Sequence, residues 1–348
     1  MPSHEVYMRR CLELALCGAG DVSPNPMVGS VIVADGKIIG EGYHQRYGEP
    51  HAEANAIAAV LDRFTNGEDL LKRSTLYVNL EPCAHFGKRP PCSDLIVQYQ
   101  IPEVVVGCRD PFPLVNGKGI ERLKDAGIIV IEDILSVECR FLNRRFLTRV
   151  QKQRPYIILK WAQTADGYFA PVDRSQSWIS SSTAKKLVHT WRSEEDAVLV
   201  GFQTALSDDP QLNVRHAAGK SPVRIVIDRN LQLSRSLKLF DQSNQTIVFN
   251  SLRTEVDNNI KYLELEDFDN YLPQLICYQL YLMDFQSIII EGGVKTLQLF
   301  INSGLWDEAR LFVSNNYWDS GLKAPAIPGK PQSKDLVGSD TLYTWYNQ

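Results

Sequence analysis

His51-Ala52-Glu53, followed by Pro82-Cys83 and then Pro91-Cys92, is the stretch that decides the fold of the first half of this 348-residue sequence. One imidazole and two thiolates suit a tetrahedral zinc ion, and three protein ligands leave the fourth coordination position for water. Glu53, two residues after the histidine, can move the proton that the water must lose and a leaving amine must gain. The motif therefore predicts a catalytic zinc site with the ligands His51, Cys83 and Cys92 and with Glu53 as proton carrier.

The spacing of the two cysteines narrows this interpretation. His-x-Glu with Pro-Cys is the signature of zinc-dependent base deaminases, in which the second half is usually Cys-x-x-Cys. Here eight residues separate Cys83 from Cys92. A structural zinc site would need a fourth protein ligand, and His85 and Cys108 are the candidates. Neither lies at a short, regular spacing from the other ligands, so an open catalytic site is favoured.

Composition and charge exclude several classes of protein. The sequence is 44% hydrophobic and 22% charged, without an apolar run of the roughly 20 residues that would span a bilayer. Lys and Arg number 16 against 19 Asp and Glu in residues 1–148, and 21 against 22 in residues 149–348, so neither half has the basic excess of a nucleic-acid binder. Seven scattered cysteines favour reduced thiols, and the N-terminus shows no signal peptide, which together predict a cytoplasmic protein.

Strand and helix signals alternate along residues 1–148 and predict one α/β domain with a mostly parallel sheet and helices on both faces. Asp35-Gly36 is a hairpin signal between two strand-like runs, and Pro50 suits the start of a helix that places His51 and Glu53 in its first turn. Cys83 is expected where the next helix opens. The predicted strands are Val28–Val33, Lys37–Gly42, Thr75–Leu80, Glu103–Cys108 and Ile128–Ile131, and the predicted helices are residues 4–17, His51–Leu61, Ser93–Tyr99, Ile120–Ala126 and Val137–Leu147.

A basic, polar stretch around Asn143–Arg154 predicts a link to a second α/β domain, residues 149–348. In that domain Gly292-Gly293 lies between an apolar strand and a helix, where exposed N–H groups can cradle a phosphate, although tight turns of this kind use Gly-Gly anyway. The chain has no G-x-G-x-x-G, so an ordinary Rossmann site is not supported. The predicted strands are Tyr156–Trp161, Ala197–Gly201, Val223–Asp228, Thr246–Phe249, Ser287–Ile290, Ala309–Val313 and Thr341–Tyr346, and the predicted helices are Thr183–Arg192, Tyr271–Leu282 and Thr296–Asn302.

Taken together, the long cysteine spacing and the second domain resemble one family over essentially the whole chain: the bifunctional deaminase/reductase of riboflavin biosynthesis. The N-terminal motifs that carry the resemblance are Pro24-Asn25-Pro26, Gly42-Tyr43-His44, Glu49-Pro50-His51-Ala52-Glu53, Leu80-Glu81-Pro82-Cys83-Ala84-His85-Phe86-Gly87, Pro90-Pro91-Cys92 and Asp110-Pro111. The C-terminal motifs are Leu159-Lys160-Trp161-Ala162, Asp166-Gly167, Trp178-Ile179-Ser180, Ser207-Asp208-Asp209-Pro210 with Arg215, and Glu291-Gly292-Gly293.

The resemblance implies a cytidine-deaminase-like α/β/α sandwich followed by a dihydrofolate-reductase-like α/β domain. The first would use zinc to deaminate 2,5-diamino-6-ribosylamino-4(3H)-pyrimidinone 5′-phosphate. The second would use NADPH to reduce the ribosyl side chain, giving 5-amino-6-ribitylamino-uracil 5′-phosphate. The implied partners are this phosphorylated pyrimidine and further copies of the chain in a dimer or tetramer, without nucleic acid or membrane.

Position by position, the resemblance also implies binding residues. Asn25 and His44 would hold the pyrimidine. The residues that would contact NADPH are Trp178, Thr204, Asp208, Gly293, Val294, Lys295 and Thr296. The residues that would contact the reductase substrate are Lys160, Arg192, Leu212, Arg215 and Glu291, the arginines matching phosphate oxygens. Lys160 and Glu291 are also the candidates for the proton donor in the reduction.

Two positions depart from the family pattern, and two other hypotheses stay open beside the bifunctional enzyme. Phe112 follows Asp110-Pro111 where many relatives carry Asn, and Gln176 stands where a serine is common. The main alternative is a monofunctional deaminase whose reductase-like domain only binds substrate or mediates oligomerisation. A nucleic-acid base deaminase with an appended domain is disfavoured by the charge and by the cysteine spacing.

Overall fold

The computed structural model describes residues 3–84, 90–173 and 179–347. It divides into two compact units, residues 1–152 and 153–348. The predicted division after residue 148 falls inside the last helix of the first unit. Among the described residues, no helix is both long and apolar enough to span a bilayer.

The first unit is a five-stranded sheet in the order β2-β1-β3-β4-β5 with helices packed on it. Its strands are β1 Gly29–Ala34, β2 Lys37–Tyr43, β3 Thr75–Val78, β4 Glu103–Val106 and β5 Ile129–Ile131. Its helices are α1 His4–Leu16, α2 Ala52–Arg63, α3 Gly67–Leu71, α4 Cys92–Gln98, α5 Lys118–Asp125, α6 Ser136–Leu142 and α7 Arg144–Lys152.

This sheet separates two apolar cores. Successive residues of β1 point to opposite faces, so Ile32 packs into one core and Val31 and Val33 into the other. The β1–β2 hairpin turns at Asp35 and Gly36, both with positive φ (51° and 73°), as that dipeptide predicts. Since β1 also pairs antiparallel with β3, the sheet is mixed, which corrects the expectation of a mostly parallel one.

Two helix predictions in the first unit are wrong. The predicted helix Val137–Leu147 is two helices, α6 and α7, which break at Asn143. The Asn143 side chain accepts a hydrogen bond from the Met27 N–H (2.8 Å) and donates one to the Met27 carbonyl (3.0 Å), a long-range pairing that local periodicity does not reveal. Cys83 does not open a helix: α4 begins at Cys92, with Pro91 before it.

A ten-stranded, largely parallel sheet forms the second unit, in the order β11-β12-β10-β9-β8-β13-β6-β14-β17-β16. Its strands are β6 Tyr156–Gln163, β8 Ala197–Gly201, β9 Val223–Ile227, β10 Thr246–Asn250, β11 Glu255–Asp257, β12 Ile260–Glu264, β13 Ser287–Ile290, β14 Glu308–Val313, β16 Ser333–Val337 and β17 Asp340–Tyr346, and the small pair β7 Tyr168–Ala170 and β15 Leu322–Lys323 lies outside this sheet. Its helices are α8 Ser182–Glu194, α9 Phe202–Asp208, α10 Leu272–Leu282 and α11 Val294–Asn302, with a 3₁₀ turn at Lys238–Phe240.

Residues alternate along β6 between two cores, one on each face of this sheet: Ile157 and Leu159 enter one core, Tyr156 and Ile158 the other. The parallel strands β8, β13 and β6 are adjacent, so their carboxyl ends lie together at one edge, where α/β sheets place their ligands. The turns after β8 and β13 lead into α9 and α11 at this edge.

Candidate functional sites

In the first unit, the three predicted metal ligands converge. His51 immediately precedes α2, Cys83 follows β3 by five residues, and Cys92 is the first residue of α4. The His51 Nδ1 lies 3.6 Å from the Cys83 Sγ and 3.4 Å from the Cys92 Sγ, and the three ligand atoms lie within 4.8 Å of one another. In the part of the chain that the structure describes, His51, Cys83 and Cys92 form the one group of three or more His, Cys, Asp or Glu side chains close enough to hold a metal ion.

The surroundings of Cys83 favour its thiolate form. The pKa of Cys83 is lowered to about 4, mainly because the Cys92 thiol donates a hydrogen bond to its sulfur. Burial opposes this shift, and His51 adds to it. The Cys92 backbone N–H also donates to the Cys83 Sγ at 3.2 Å, at the start of α4. Thiolates are the form in which cysteines bind metal, so this cysteine is prepared for that role.

Glu53 lies beside the cluster in the first turn of α2 and is only 3% exposed. Burial raises the pKa of its carboxyl group, the positive charge of His51 opposes this, and the Cys92 thiol is within hydrogen-bonding reach of it. The group of potential ligands comprises the histidine and the two cysteines. Glu53 is therefore placed next to the metal position without belonging to the ligand set.

Asn25 and His44 lie next to this cluster and contact each other. The Asn25 amide nitrogen is 3.1 Å from the His44 Nε2, and the His44 Nδ1 is 3.1 Å from the Pro50 carbonyl oxygen. Since a carbonyl only accepts, Nδ1 carries the proton and Nε2 accepts from Asn25, which makes the His44 ring neutral. Burial lowers the pKa of His44, in agreement with this state. The His44 ring meets the His51 ring edge-on at 5.3 Å between centroids.

Sequence reasoning assigned no role to Glu81, the residue before Pro82. Its buried carboxylate accepts backbone hydrogen bonds from Asp110 (3.3 Å), Gly117 (3.0 Å), Gly119 (3.0 Å) and Ile120 (3.3 Å). Glu81 thereby ties the segment 110–120 to the chain that carries Cys83. No local pattern could have indicated this, because the four donors are 29–39 residues away.

Asp110 is buried at the start of this segment. Burial raises the pKa of its carboxyl group to about 7, although a hydrogen bond from the Phe112 N–H (2.8 Å) opposes the shift. The charge of Glu81 raises the pKa further. Phe112 stands at the position where an Asn is common, and its part in this segment is the hydrogen bond from its backbone N–H to the Asp110 carboxyl group.

In the second unit, most of the predicted reductase residues line one cavity of about 500 Å³. The predicted residues that line it are Lys160, Arg192, Thr204, Asp208, Leu212, Arg215 and Glu291. The wall also contains residues to which the sequence analysis assigned no contact, among them Ser180, Lys185, His189, Asp209 and Lys238. A signal existed for His189, which precedes Arg192 by three residues and therefore shares its face of α8.

A buried charge network lies at one side of this cavity. Arg192 donates two hydrogen bonds to the Glu291 carboxylate (2.6 and 2.8 Å), and the Lys160 Nζ is 3.7 Å from a Glu291 oxygen. Burial alone would raise the pKa of Glu291, but Arg192 and Lys160 outweigh it and bring the pKa to about 2. Burial lowers the pKa of Lys160, with Glu291 opposing. Glu291 is therefore an anion that orients two cations.

Gly292 and Gly293 form the turn from β13 into α11 and lie against Thr204, and the predicted residues Val294, Lys295 and Thr296 are the first residues of α11. Gly293 has φ 75°, which disfavours other residues. A Cβ on Gly292 would be 2.8 Å from the Thr204 Cγ2, so this close packing requires glycine. The turn therefore contacts Thr204, and Thr204 itself lines the cavity. Trp178 and Gln176 lie outside the described residues, as does His85.

Comparisons with known families agree with the two-part organisation. The profile of the "Cytidine and deoxycytidylate deaminase zinc-binding region" matches residues 1–108, and that of the "RibD C-terminal domain" matches residues 155–316. The chain is similar to the riboflavin biosynthesis protein RibD of Aquifex aeolicus, with 40% identity over 91% of this chain and 88% of the relative. It is also 40% identical to that of Synechocystis, over 99% and 97% of the two chains.

A solved structure shows the same fold over the full length. The crystal structure of a diaminohydroxyphosphoribosylaminopyrimidine deaminase/5-amino-6-(5-phosphoribosylamino)uracil reductase from Thermotoga maritima superposes with a TM-score of 0.89. It is 37% identical in sequence, and the match covers 99% of this chain and 98% of that one. RibD from Acinetobacter baumannii, form 1, has the same TM-score of 0.89 at 32% identity, with the same coverage.

Proposed function

Given that the chain belongs to the RibD family, the bifunctional deaminase and reductase of riboflavin biosynthesis, we propose which residues carry each activity. The deaminase site is the cluster of His51, Cys83, Cys92 and Glu53, and the reductase site is the cavity beside Glu291. The observation that carries the proposal is the convergence of three ligand atoms within 4.8 Å next to a buried carboxyl group. The monofunctional alternative has no support from the relatives, which match both halves of the chain.

The donor set fits zinc. Ideal tetrahedral coordination with Zn–S of about 2.3 Å and Zn–N of about 2.0–2.1 Å separates a sulfur and a nitrogen ligand by about 3.6 Å. The two S–N distances here are 3.6 and 3.4 Å. The deaminase profile that matches residues 1–108 is also that of a zinc-binding region. When bound, zinc supplies a Lewis acid that makes water a nucleophile near neutral pH.

The protein's own residues then handle the protons and the substrate. Glu53 takes the proton from the attacking water and returns it to the departing amine of the pyrimidine. We assign Asn25 and His44 to holding the ring, because the His44 ring meets the His51 ring and Asn25 is hydrogen-bonded to His44.

For the reductase site, we propose NADPH as the hydride donor, held by Trp178, Thr204, Asp208 and the segment Gly293–Thr296. The nicotinamide supplies the difficult chemistry, so the protein needs mainly to orient the two reactants. Lys160 and Glu291 lie together in the wall of the cavity. Lys160, whose pKa burial lowers, is the proposed donor of the proton to the sugar oxygen, and Glu291, an anion with a pKa of about 2, holds Lys160 in place.

The two arginines that line the cavity have different proposed roles. Arg192 is 9% exposed and gives two hydrogen bonds to Glu291 and one to the Asn213 carbonyl (3.2 Å), so it holds the wall in place. Arg215 is exposed, and its guanidinium donates a hydrogen bond to the Asn213 Oδ1 (2.8 Å). We assign the substrate phosphate to Arg215 and leave Leu212 as an apolar contact for the substrate.

We also propose the setting in which the enzyme works. The first unit, residues 1–152, is the proposed deaminase domain, and the second unit, residues 153–348, is the proposed reductase domain. The seven cysteines are free thiols, which suits a reducing cytoplasm. A homo-oligomer, dimer or tetramer, is the proposed assembly.

Glu53→Gln tests the deaminase assignment. The variant should retain zinc, measured by metal analysis, because Glu53 is not a ligand, while ammonia release falls by orders of magnitude because the proton carrier is lost. Glu68→Gln, an exposed change in the same unit, is the control and should leave both unchanged. Loss of zinc from Glu53→Gln would make Glu53 a ligand, and unchanged ammonia release would remove it from the mechanism.

A further inference from the structure

His189 is a buried histidine in the wall of the reductase cavity for which the proposed function has no role. It lies on α8, is 2% exposed, and stands one turn before Arg192. Its ring meets that of His216 edge-on, with 4.7 Å between centroids and an interplanar angle of 90°. A polar ring so deeply buried needs a defined partner.

That partner is the backbone of Arg215. The Arg215 N–H donates to the His189 Nδ1 at 3.3 Å. An accepting Nδ1 carries no proton, so the neutral ring is protonated at Nε2. Burial, together with the positive charges of Arg192 and Arg215, lowers the pKa of His189 to about 4, so the accepting form is the one present at neutral pH.

The chain around Arg215 needs such fixation. Leu212 is a non-glycine residue at φ 51°, in the left-handed region, and it is 2% exposed. Such a conformation persists only where the surroundings hold it. Three successive residues after it are held by side chains: Asn213 O by Arg192 (3.2 Å), Val214 N by the Ser221 hydroxyl (3.1 Å) and Arg215 N by His189.

We propose that His189 is a positioning residue for the substrate phosphate: through Nδ1 it fixes the backbone of Arg215 and so aims that guanidinium into the cavity. This inference rests on the proposed function, because it takes Arg215 as the phosphate-binding group. It adds the prediction that His189 acts through Arg215 and not on the nicotinamide or the pyrimidine.

His189→Asn and His189→Leu separate the acceptor from the ring. The Asn Oδ1 can occupy the position of Nδ1 and accept the same N–H, whereas Leu fills the space without an acceptor. With the deaminated phosphorylated substrate, His189→Leu should raise the reductase KM by about tenfold, the effect of one hydrogen bond worth about 1.4 kcal/mol. His189→Asn should stay within about threefold of wild type. The KM for NADPH should not change.

Two further measurements distinguish a positioning role of His189 from a merely structural one. The dephosphorylated substrate should be reduced equally well by wild type and by His189→Leu. In an Arg215→Ala background, His189→Leu should add no further loss, because two residues that act through one interaction are not additive. An unchanged KM for NADPH in each variant reports that the reductase domain has folded. Should the Leu variant not fold, His189→Gln, whose acceptor lies at the Nε2 position, replaces it with the same expectation.

Several results would overturn the inference while the proposed function stands. They are a wild-type KM in His189→Leu, an equal loss for NADPH or the dephosphorylated substrate, a loss in His189→Asn as large as in His189→Leu, and additivity with Arg215→Ala. A wild-type protein that does not oxidise NADPH with the deaminated substrate would instead overturn the proposed reductase function, and this inference with it.

Discussion

Replacing Glu81 by glutamine should loosen the segment that follows Asp110. The carboxylate accepts two backbone N–H groups on each oxygen, Asp110 and Gly117 on one, Gly119 and Ile120 on the other. Glutamine keeps one oxygen and turns an NH₂ group towards the other two donors. Each buried donor left without an acceptor costs about 1–3 kcal/mol, so the local structure should lose roughly 2–6 kcal/mol.

Hydrogen exchange measures this loss directly. A loss of 2 kcal/mol corresponds to about 30-fold faster exchange in the pair of amides that loses its acceptor, either Asp110 and Gly117 or Gly119 and Ile120. The matched control is Glu132→Gln: its carboxylate pairs with two half-exposed cations at the surface, and such pairs contribute at most about 1 kcal/mol. Unchanged exchange in Glu81→Gln, or an equal effect in the control, would refute the claim that Glu81 holds this segment.

Three further predictions use the same structure. Asp110 has a folded pKa of about 7 against an ordinary value of 3.8, so its contribution to stability is lost as pH rises from about 4 to 7, by about 4 kcal/mol. Asp110→Asn should therefore unfold at higher urea than wild type at pH 8 and at similar urea at pH 4, and a shift of equal size at both pH values would contradict this. Gly119→Ala should lower the melting temperature despite the better helix propensity of alanine, because its Cβ would lie 2.0 Å from the Pro82 carbonyl oxygen; an unchanged melting temperature would show that the backbone yields freely. Arg192→Lys breaks the two-bond pairing with Glu291 and should lower reductase kcat/KM by tenfold or more while ammonia release persists, and an unaffected reduction would exclude this ion pair from the site.

Local patterns predicted much of the fold because their causes are local. The Asp35-Gly36 turn was identifiable because both residues tolerate positive φ, and the turn sets the register of β1 and β2. Seven strands of the second unit were predicted from apolar runs of the right length, and β7, β11, β12, β15 and β16 were not. No strand was predicted between residues 257 and 270, yet this segment includes β12, which pairs with the parallel strand β10.

The metal cluster was predictable and its supporting residues were not. His51, Cys83 and Cys92 are marked by residue type and spacing, since few side chains suit zinc. Glu81 and Asn143 act on backbone groups far along the chain, and a carboxylate or amide gives no sign in sequence of which backbone it will meet. The helix predicted over Ser93–Tyr99 is found one residue earlier, at Cys92–Gln98, and the expectation that was wrong is that a helix opens at Cys83.

In the reductase cavity too, some residues were predictable from the sequence and others were not. Lys160, Arg192 and Glu291 were assigned from resemblance, and the structure places them in one ion network. The link from His189 to the Arg215 backbone depends on the turn at Leu212, whose left-handed conformation no sequence rule predicts.

Coupling of the two reactions in one tube tests the central claim most directly. Zinc-replete protein is mixed with the diaminopyrimidinone ribosylamino phosphate and NADPH, and ammonia release and the absorbance of reduced nicotinamide are followed together. We expect one NADPH oxidised for each ammonia released, no oxidation with Glu53→Gln, and restored oxidation when that variant receives the deaminated substrate. Ammonia release without NADPH oxidation by the wild-type protein, even with the deaminated substrate supplied, would contradict the account.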